Sequence, residues 1–279
     1  MNKEALGFDN GPIVNRVVKY VHDTSMEMCI FVPNWRAKMH HWDGFCDHIS
    51  QYYNLEYFET REKPNTISKA TSIDYNNVHA AMDIINYLNT HLCINYHLIL
   101  CSFSVPLVLS KWEELICKPK SLTLICPITH VSLPWPVRLF SSIPNATLPY
   151  MHQMVFNLAN RTSAIRPICK NHLDLFKGGN IKELSHFQSS VREVLKLKIS
   201  HDLFEKVSVP TLIVKPMSDK IHRPGICHKI YKTIKNSVLH EVDNFRDAHS
   251  VDVAREVQGF IAGNIETKEI MFKHNQSLI

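Results

Sequence analysis

Three side chains of the kinds that carry out nucleophilic catalysis stand at separate points of this 279-residue chain: Ser104, Asp219 and His249. Ser104 lies in residues 98–106, where a buried strand, a tight turn and the start of a helix are predicted. A serine in such a turn attacks a carbonyl carbon when a histidine removes its proton and an acid orients the imidazole. The three residues therefore favour acyl transfer through a covalent acyl-serine.

The acid and the histidine each follow a predicted strand. Asp219 comes after the buried run at residues 209–215, and His249 lies between a strand at 237–242 and an amphipathic helix at 251–261. The two residues are thus separated by one helix and one strand, and the chain order is serine, acid, histidine.

Two other acidic residues compete for the third role. Asp243 and Asp247 lie close to His249 in the sequence. Both belong to the loop of that histidine, where acidic residues more naturally occupy surface or helix-approach positions. Asp219 is therefore the favoured acid.

Strands and helices alternate over the first half of the chain. This alternation predicts the α/β class, with a mostly parallel central sheet and helices on both of its faces. Short apolar runs indicate the strands, and apolar spacing of three to four residues indicates the helices. The predicted strands cover residues 14–22, 28–33, 55–58, 96–101 and 122–126, and the predicted helices cover residues 41–53, 73–88 and the segment around Pro106.

The alternation is interrupted in the middle of the chain by a helical, irregular and proline-rich segment. We therefore expect a core built from residues 1–127 and 206–264. An inserted helical cap is expected at residues 128–205, and a C-terminal tail at residues 265–279.

The turn at Ser104 and the order of the three residues resemble the nucleophile elbow and triad of the α/β-hydrolase superfamily. The resemblance implies that Ser104 is the nucleophile, Asp219 the acid and His249 the base. It also implies that the backbone N–H groups of Trp35 and Val105 form the oxyanion hole.

The chain departs from the superfamily's motifs at several positions. Residues 59–61, Glu-Thr-Arg, resemble the usual Asp-x-Arg after the next strand, but the glycines that belong to the motifs are replaced. These departures leave open a protein that keeps the fold without turnover. The replacements are Ser102, Pro106, Glu62, Pro64 and, for a His-Gly pair, Pro33-Asn34.

The resemblance implies a serine hydrolase that cleaves a small hydrophobic carboxylic ester or thioester. An acyltransferase is an alternative, because water, an alcohol or an amine can resolve the acyl-serine. A non-catalytic binding protein with the same fold is a second alternative.

Apolar and aromatic side chains in the expected cap are candidates for an acyl pocket, although packing of the cap onto the core is an alternative role for them. The stretch at residues 135–140, with Arg138 among apolar residues, also suits peripheral contact with a membrane surface. The pocket candidates are Trp135, Phe140, Tyr150, Met151, Met154 and Phe156.

The composition argues against several other classes of protein. The 31 basic and 26 acidic residues, with a net charge of +5, are spread along the chain and predict no nucleic-acid-binding patch. The eight cysteines form no CxxC pair and no HExxH occurs, so the spacing indicates neither a zinc site nor a disulfide framework. The resemblance to the α/β-hydrolase superfamily implies that no metal and no organic cofactor is needed. The sequence contains no apolar run of about 18 residues, so no membrane span is predicted. The N-terminal residues do not resemble a secretory signal, and we expect a cytoplasmic protein.

Overall fold

A mixed β-sheet of nine strands forms the centre of the part of the chain that the computed structural model describes. That part comprises residues 2–22, 25–69, 74–91, 95–131, 133, 135–144, 147, 181–218 and 224–263. The strands are β1 (Asn2–Asn10), β2 (Ile13–Val21), β3 (Met28–Val32), β4 (Asn54–Phe58), β5 (Ile67–Ser68), β6 (Tyr96–Cys101), β7 (Ser121–Ile125), β8 (Thr211–Pro216) and β9 (Ser237–Val242). Their order is β1-β2-β4-β3-β6-β7-β8-β9, and the short β5 lies beside β2.

The strands from β4 to β9 in this order are parallel neighbours, whereas β1 and β2 form an antiparallel hairpin that joins the sheet at β4. Parallel strands end on the same side of a sheet, and loops on that side carry the ligand sites of open α/β folds. We call the side on which β3, β6, β7 and β8 end the carboxyl edge, and the opposite side the amino edge.

The described residues contain seven helices. Two of them begin at a side-chain cap: Asn76 accepts a hydrogen bond from the Val78 N–H (2.8 Å), and Ser250 accepts one from the Val253 N–H (3.3 Å). The helices are α1 (Asp43–Ile49), α2 (Asn77–Asn89), α3 (Ser104–Ser110), α4 (Trp135–Ser142), α5 (Ile181–Lys196), α6 (Pro224–Thr233) and α7 (Val251–Ile261).

Helices α1 and α7 pack together on one face of the sheet. Phe45 of α1 and Val257 of α7 belong to the same buried cluster as Phe31 of β3. Side chains alternate between the two faces of a strand, so Ile30 and Leu98 point to the opposite face, and they too are fully buried. Both faces of the sheet are therefore covered, which confirms the predicted α/β architecture.

Two local features differ from the sequence-based expectation. The first residues form β1, which pairs with β2 from Asn2 to Asn10 and leaves most of its side chains exposed. Because β1 has no buried apolar face, no hydrophobic periodicity marks it in the sequence. The helix predicted at residues 41–53 covers only Asp43–Ile49, and a 3₁₀ turn at Met39–Trp42 precedes it.

Among the described residues, no helix is long and apolar enough to cross a bilayer.

The backbone divides into two compact units. The first comprises residues 1–129 and 198–279 and contains the sheet, and the second comprises residues 130–197. Within the second unit, Arg192 of α5 donates hydrogen bonds to the carbonyls of Ser141 (2.6 Å) and Ile143 (2.8 Å) at the end of α4. This unit lies within the insert expected at 128–205, and the limits of that insert and its role as a cap stay predictions.

Most of the candidate pocket lies outside the described residues, so its lining also stays a prediction. The same holds for the expected tail at 265–279. The pocket positions concerned are Tyr150, Met151, Met154 and Phe156, together with the side chains of Trp135 and Phe140.

Candidate active site

The turn between β6 and α3 holds a serine in a strained conformation. Ser102 has a φ of 52°, in the left-handed region that costs a residue with a side chain roughly 1–2 kcal/mol. Its N–H donates to the Ile125 carbonyl (2.9 Å), and its carbonyl accepts from the Val105 N–H (3.2 Å). The strand on one side and the helix on the other therefore hold the strain in place, which is the backbone geometry of a nucleophile elbow.

Ser104, the nucleophile predicted from the sequence, lies two residues further along and points into the protein. It is 0% exposed, compared with 6% for Ser102. Its Oγ donates to the Val32 carbonyl (2.8 Å) and accepts from the Cys101 N–H (2.9 Å). A hydroxyl occupied in this way has no access to a substrate carbonyl, so the geometry supports Ser102 and not Ser104 as the attacking residue.

With Ser102 as the candidate nucleophile, the candidate oxyanion donor also differs from the expected Val105 N–H. The Val105 N–H is used within the turn, where it bonds to the Ser102 carbonyl. The backbone N–H that directly follows Ser102 belongs to Phe103, and this is the position that supplies an oxyanion donor at an elbow. Ser104 then occupies the position two residues after the serine, where a small side chain lets strand and helix approach each other.

His249 is half-buried in a 3₁₀ turn between β9 and α7. Its ring packs edge-on against the rings of Trp42 (centroids 4.1 Å apart) and Phe245 (4.7 Å). The Trp42 indole N–H in turn donates to Asn34 Oδ1 (3.2 Å), two residues after the end of β3. These contacts bring the histidine to the carboxyl edge, beside the strand that neighbours β6.

The favoured acid, Asp219, lies outside the described residues. The residue before it, Ser218, donates to the Asp243 carbonyl through its N–H (2.8 Å) and its hydroxyl (2.7 Å). The chain is therefore described up to a point one residue before Asp219, where it is still bound to the loop that leads to His249.

The two competing acids have other environments. The side chain of Asp243 is exposed. The Asp247 carboxylate accepts a hydrogen bond from the Asn244 side-chain amide (2.6 Å) within its own loop. Neither observation favours a role beside the imidazole of His249.

Trp35, whose N–H is the other expected oxyanion donor, lies in the turn after β3. The Asn34 carbonyl accepts from the Ala37 N–H (3.2 Å) and from the Lys63 ammonium. Arg36 has a φ of 49° and donates its N–H to Glu62 Oε1 (3.2 Å). Hydrogen bonds to Glu62 and Lys63, in the segment that follows β4, thus hold this turn in place.

That segment, residues 59–63, contains four charged residues, yet all five of its residues are buried. Arg61 forms a two-bonded ion pair with Asp83 of α2, with both distances 2.8 Å. Burial raises the pKa of Asp83 although this ion pair opposes the shift. Hydrophobic patterning could not reveal such a network, because its burial depends on partners that lie far away in the sequence.

Backbone strain is concentrated on the carboxyl edge. Among the described residues, three with side chains have a positive φ: Arg36, Ser102 and Cys126. They follow β3, β6 and β7 respectively, which are adjacent in the sheet. Strained residues persist where the surrounding structure holds them, and they occur preferentially at active sites. In the same described part, no group of three or more His, Cys, Asp or Glu side chains is arranged to hold a metal ion.

Comparison with known proteins agrees with this architecture. No protein-family model and no curated protein matches the sequence. Among solved structures, a protein assigned as a lipase from Acinetobacter baumannii AYE superposes with a TM-score of 0.71 over 94% of this chain and 91% of its own, at 14% identity. A haloalkane dehalogenase loop variant from Bradyrhizobium elkanii gives 0.68 over 94% and 98%, at 12% identity. The thioesterase domain from the curacin biosynthetic pathway gives 0.63 over 94% and 100%, at 12% identity. The chain has the α/β-hydrolase fold, as its sequence predicted.

Proposed function

We propose that the protein is a serine hydrolase that cleaves a carboxylic ester or thioester through an acyl-enzyme on Ser102. His249 is the general base and Asp219 the acid that orients it. The observation that carries the proposal is the strained φ of Ser102 at the end of β6, on the edge where His249 also lies. A strained serine followed by the first turn of a helix is the arrangement that exposes a nucleophile and supplies a backbone donor beside it.

The reaction that follows has two halves. Ser102 Oγ attacks the substrate carbonyl while the His249 imidazole takes its proton, and the resulting oxyanion accepts hydrogen bonds from the N–H groups of Phe103 and Trp35. The imidazolium then protonates the leaving alcohol or thiol as the carbon–leaving-group bond breaks. In the second half, His249 removes a proton from water, which attacks the acyl carbon, and Ser102 regains its proton.

An apolar substrate is part of the proposal. The aromatic rings of Trp42 and Phe245 flank the imidazole of His249, and the candidate pocket residues of the second unit are apolar or aromatic. The solved structures of the same fold include a thioesterase domain and a protein assigned as a lipase, which supports acyl substrates as the class to test.

Labelling by a fluorophosphonate, followed by intact-mass spectrometry and peptide mapping, tests the assignment. We expect one adduct on Ser102 in the native protein and in Ser104→Ala, and none in Ser102→Ala or His249→Ala. An adduct that maps to Ser104, or no adduct on protein whose circular dichroism shows it to be folded, would refute the proposal. Product analysis with p-nitrophenyl esters and acyl thioesters, in the presence of alcohol or amine acceptors, then separates hydrolysis from acyl transfer.

A further inference from the structure

The peptide group between Asn34 and Trp35 is held at one end by two donors. The Asn34 carbonyl accepts from the Ala37 N–H (3.2 Å) and from the Lys63 ammonium. In a trans peptide the carbonyl and the following N–H point in opposite directions within one plane. The two donors that fix the Asn34 carbonyl therefore also fix the direction of the Trp35 N–H.

Lys63 is unusual because it is buried and its ammonium is directed at this carbonyl. Only 3% of the residue is exposed. Its distance to Glu62 Oε1 is 3.7 Å, and that oxygen already accepts from the Thr60 hydroxyl (2.7 Å) and the Arg36 N–H (3.2 Å). The Asn34 carbonyl is therefore the closer partner of the ammonium.

We propose that Lys63 is a positioning residue for the oxyanion hole: its ammonium orients and polarises the Asn34–Trp35 peptide group. A positive charge at the carbonyl end draws electron density away from the N–H end, which makes the Trp35 N–H a stronger donor to the oxyanion. The inference rests on the proposed acyl-enzyme mechanism and adds to it the residue that controls one of its two oxyanion donors.

The charge of Lys63 should make this contribution depend on pH. Burial is the main cause that lowers the pKa of Lys63 to about 8, and Arg36 adds to it, while Glu62, Glu59 and Cys101 oppose the shift. Burial is the main cause that lowers the pKa of His41, on the 3₁₀ turn at Met39–Trp42, and the charges of His40, Lys38 and Lys63 add to it. The ammonium is charged below about pH 8, so oxyanion stabilisation is complete there and falls as the pH rises through this value.

The test compares Lys63→Met and Lys63→Arg with the native protein. Lys118→Met is the matched control, because the Lys118 ammonium holds the Trp112 carbonyl outside the site. For each protein, kcat and KM for a p-nitrophenyl ester and the rate of Ser102 labelling by a fluorophosphonate are measured from pH 6 to 10. We expect Lys63→Met to lower kcat by about 10–100-fold with KM changed less than about threefold. Lys118→Met should match the native protein.

The pH profile distinguishes positioning from simple structural support. The native profile should fall with an apparent pKa near 8, and Lys63→Arg, whose charge persists, should keep most of the activity and lose this decline. Folded Lys63→Met with native kcat, or a decline near pH 8 that persists in Lys63→Arg, would overturn the inference while Ser102 labelling still upheld the proposed function. If Lys63→Met fails to fold, the double variant Glu62→Gln/Lys63→Met removes both charges and takes its place. Absence of labelling at Ser102 in the native protein would refute both.

Discussion

Two serines of this protein, one on each edge of the sheet, have hydrogen-bonding or backbone features of a catalytic nucleophile. On the amino edge, Ser121 Oγ lies 2.8 Å from His97 Nδ1, and His97 Nε2 lies 3.2 Å from a Glu27 carboxylate oxygen. On the carboxyl edge, Ser102 stands in a strained turn with a helix directly after it. The amino edge thus has serine, histidine and carboxylate side chains in contact, as in a triad. The carboxyl edge has the backbone geometry of a nucleophile elbow.

The environment of Ser121 explains why contacts among a serine, a histidine and a carboxylate are not sufficient to make that serine a nucleophile. Ser121 opens β7 and pairs with His97 in the regular register of β6 and β7. Burial lowers the pKa of His97, so the neutral imidazole donates to Glu27 and accepts from Ser121. A serine inside a strand has its backbone N–H and C=O in the ladder, and no helix N-terminus follows it to stabilise an oxyanion. We interpret this group as a cross-link between neighbouring strands, and Ser102 as the reactive serine.

The largest expected effect separates the two serines by activity. Ser102→Ala should lower kcat/KM for a p-nitrophenyl ester by a factor on the order of 10³ or more, because it removes the nucleophile. Ser121→Ala should leave kcat/KM within about twofold of the native value. Steady-state kinetics on both variants, with circular dichroism as the check on folding, measures the difference. Equal losses in the two variants would contradict the assignment of roles.

The next largest effect concerns Ser104, whose buried hydroxyl forms hydrogen bonds that stabilise the turn between β6 and α3. Ser104→Ala leaves the Cys101 N–H and the Val32 carbonyl without the hydroxyl that they share, and should lower the free energy of unfolding by about 1–3 kcal/mol. Urea denaturation measures this change. Ser110→Ala is the control, because Ser110 ends the same helix and bonds only the Leu107 carbonyl (2.7 Å). A loss in Ser104→Ala no greater than in the control would show that the buried hydroxyl does not hold the turn.

One substitution should change stability in opposite directions at the two sites. Ser102→Gly relieves the positive φ and should raise the free energy of unfolding by about 1 kcal/mol while it abolishes turnover. Ser121→Gly places a glycine in a strand and removes the bond to His97, and should lower that free energy by about 1–2 kcal/mol. Parallel urea titrations test this, and a destabilised Ser102→Gly would mean that the elbow stores no strain.

The smallest effect is a pH-dependent one on the amino edge. The hydrogen bond from Lys120 is the main cause that lowers the pKa of Glu27 below 4.5, so their ion pair stabilises the fold above that pH and is lost as Glu27 is protonated. Because the carboxylate is 44% exposed, Lys120→Met should lower the free energy of unfolding by only about 0.2–0.5 kcal/mol at pH 7. The difference should shrink as the pH falls below 4.5 and Glu27 becomes protonated in the folded protein. A loss that stays the same size over the whole acid titration would point to packing instead of charge.

The sequence predicted best those parts of the molecule that depend on local patterning. Continuous apolar runs such as Leu98–Cys101 mark strands buried on both faces, and these strands lie where they were expected. The choice between Ser102 and Ser104 as the nucleophile depends on backbone φ and on the direction of the side chain, and the two serines differ in both. Neither property leaves a trace in composition or spacing.

Buried polar groups were a second limit of the sequence. Lys63 lies in a stretch of charged residues that is typical of an exposed loop, and only the tertiary structure supplies the Asn34 carbonyl that receives its ammonium. In the sequence, this loop differs from the superfamily's pattern by Glu62 and Pro64 at the positions of the usual glycines.

The position of the second unit in the chain has a consequence for how this protein could diversify. Strands β7 and β8 are adjacent in the sheet, with Leu122 paired to Thr211, although residues 130–197 lie between them in sequence. The entropic cost of closing a loop rises only with the logarithm of the number of residues in it. A connection that is roughly five times longer therefore costs only about 1.5 kcal/mol more. A segment at this point can therefore be lengthened, shortened or exchanged over evolutionary time while the sheet keeps its register.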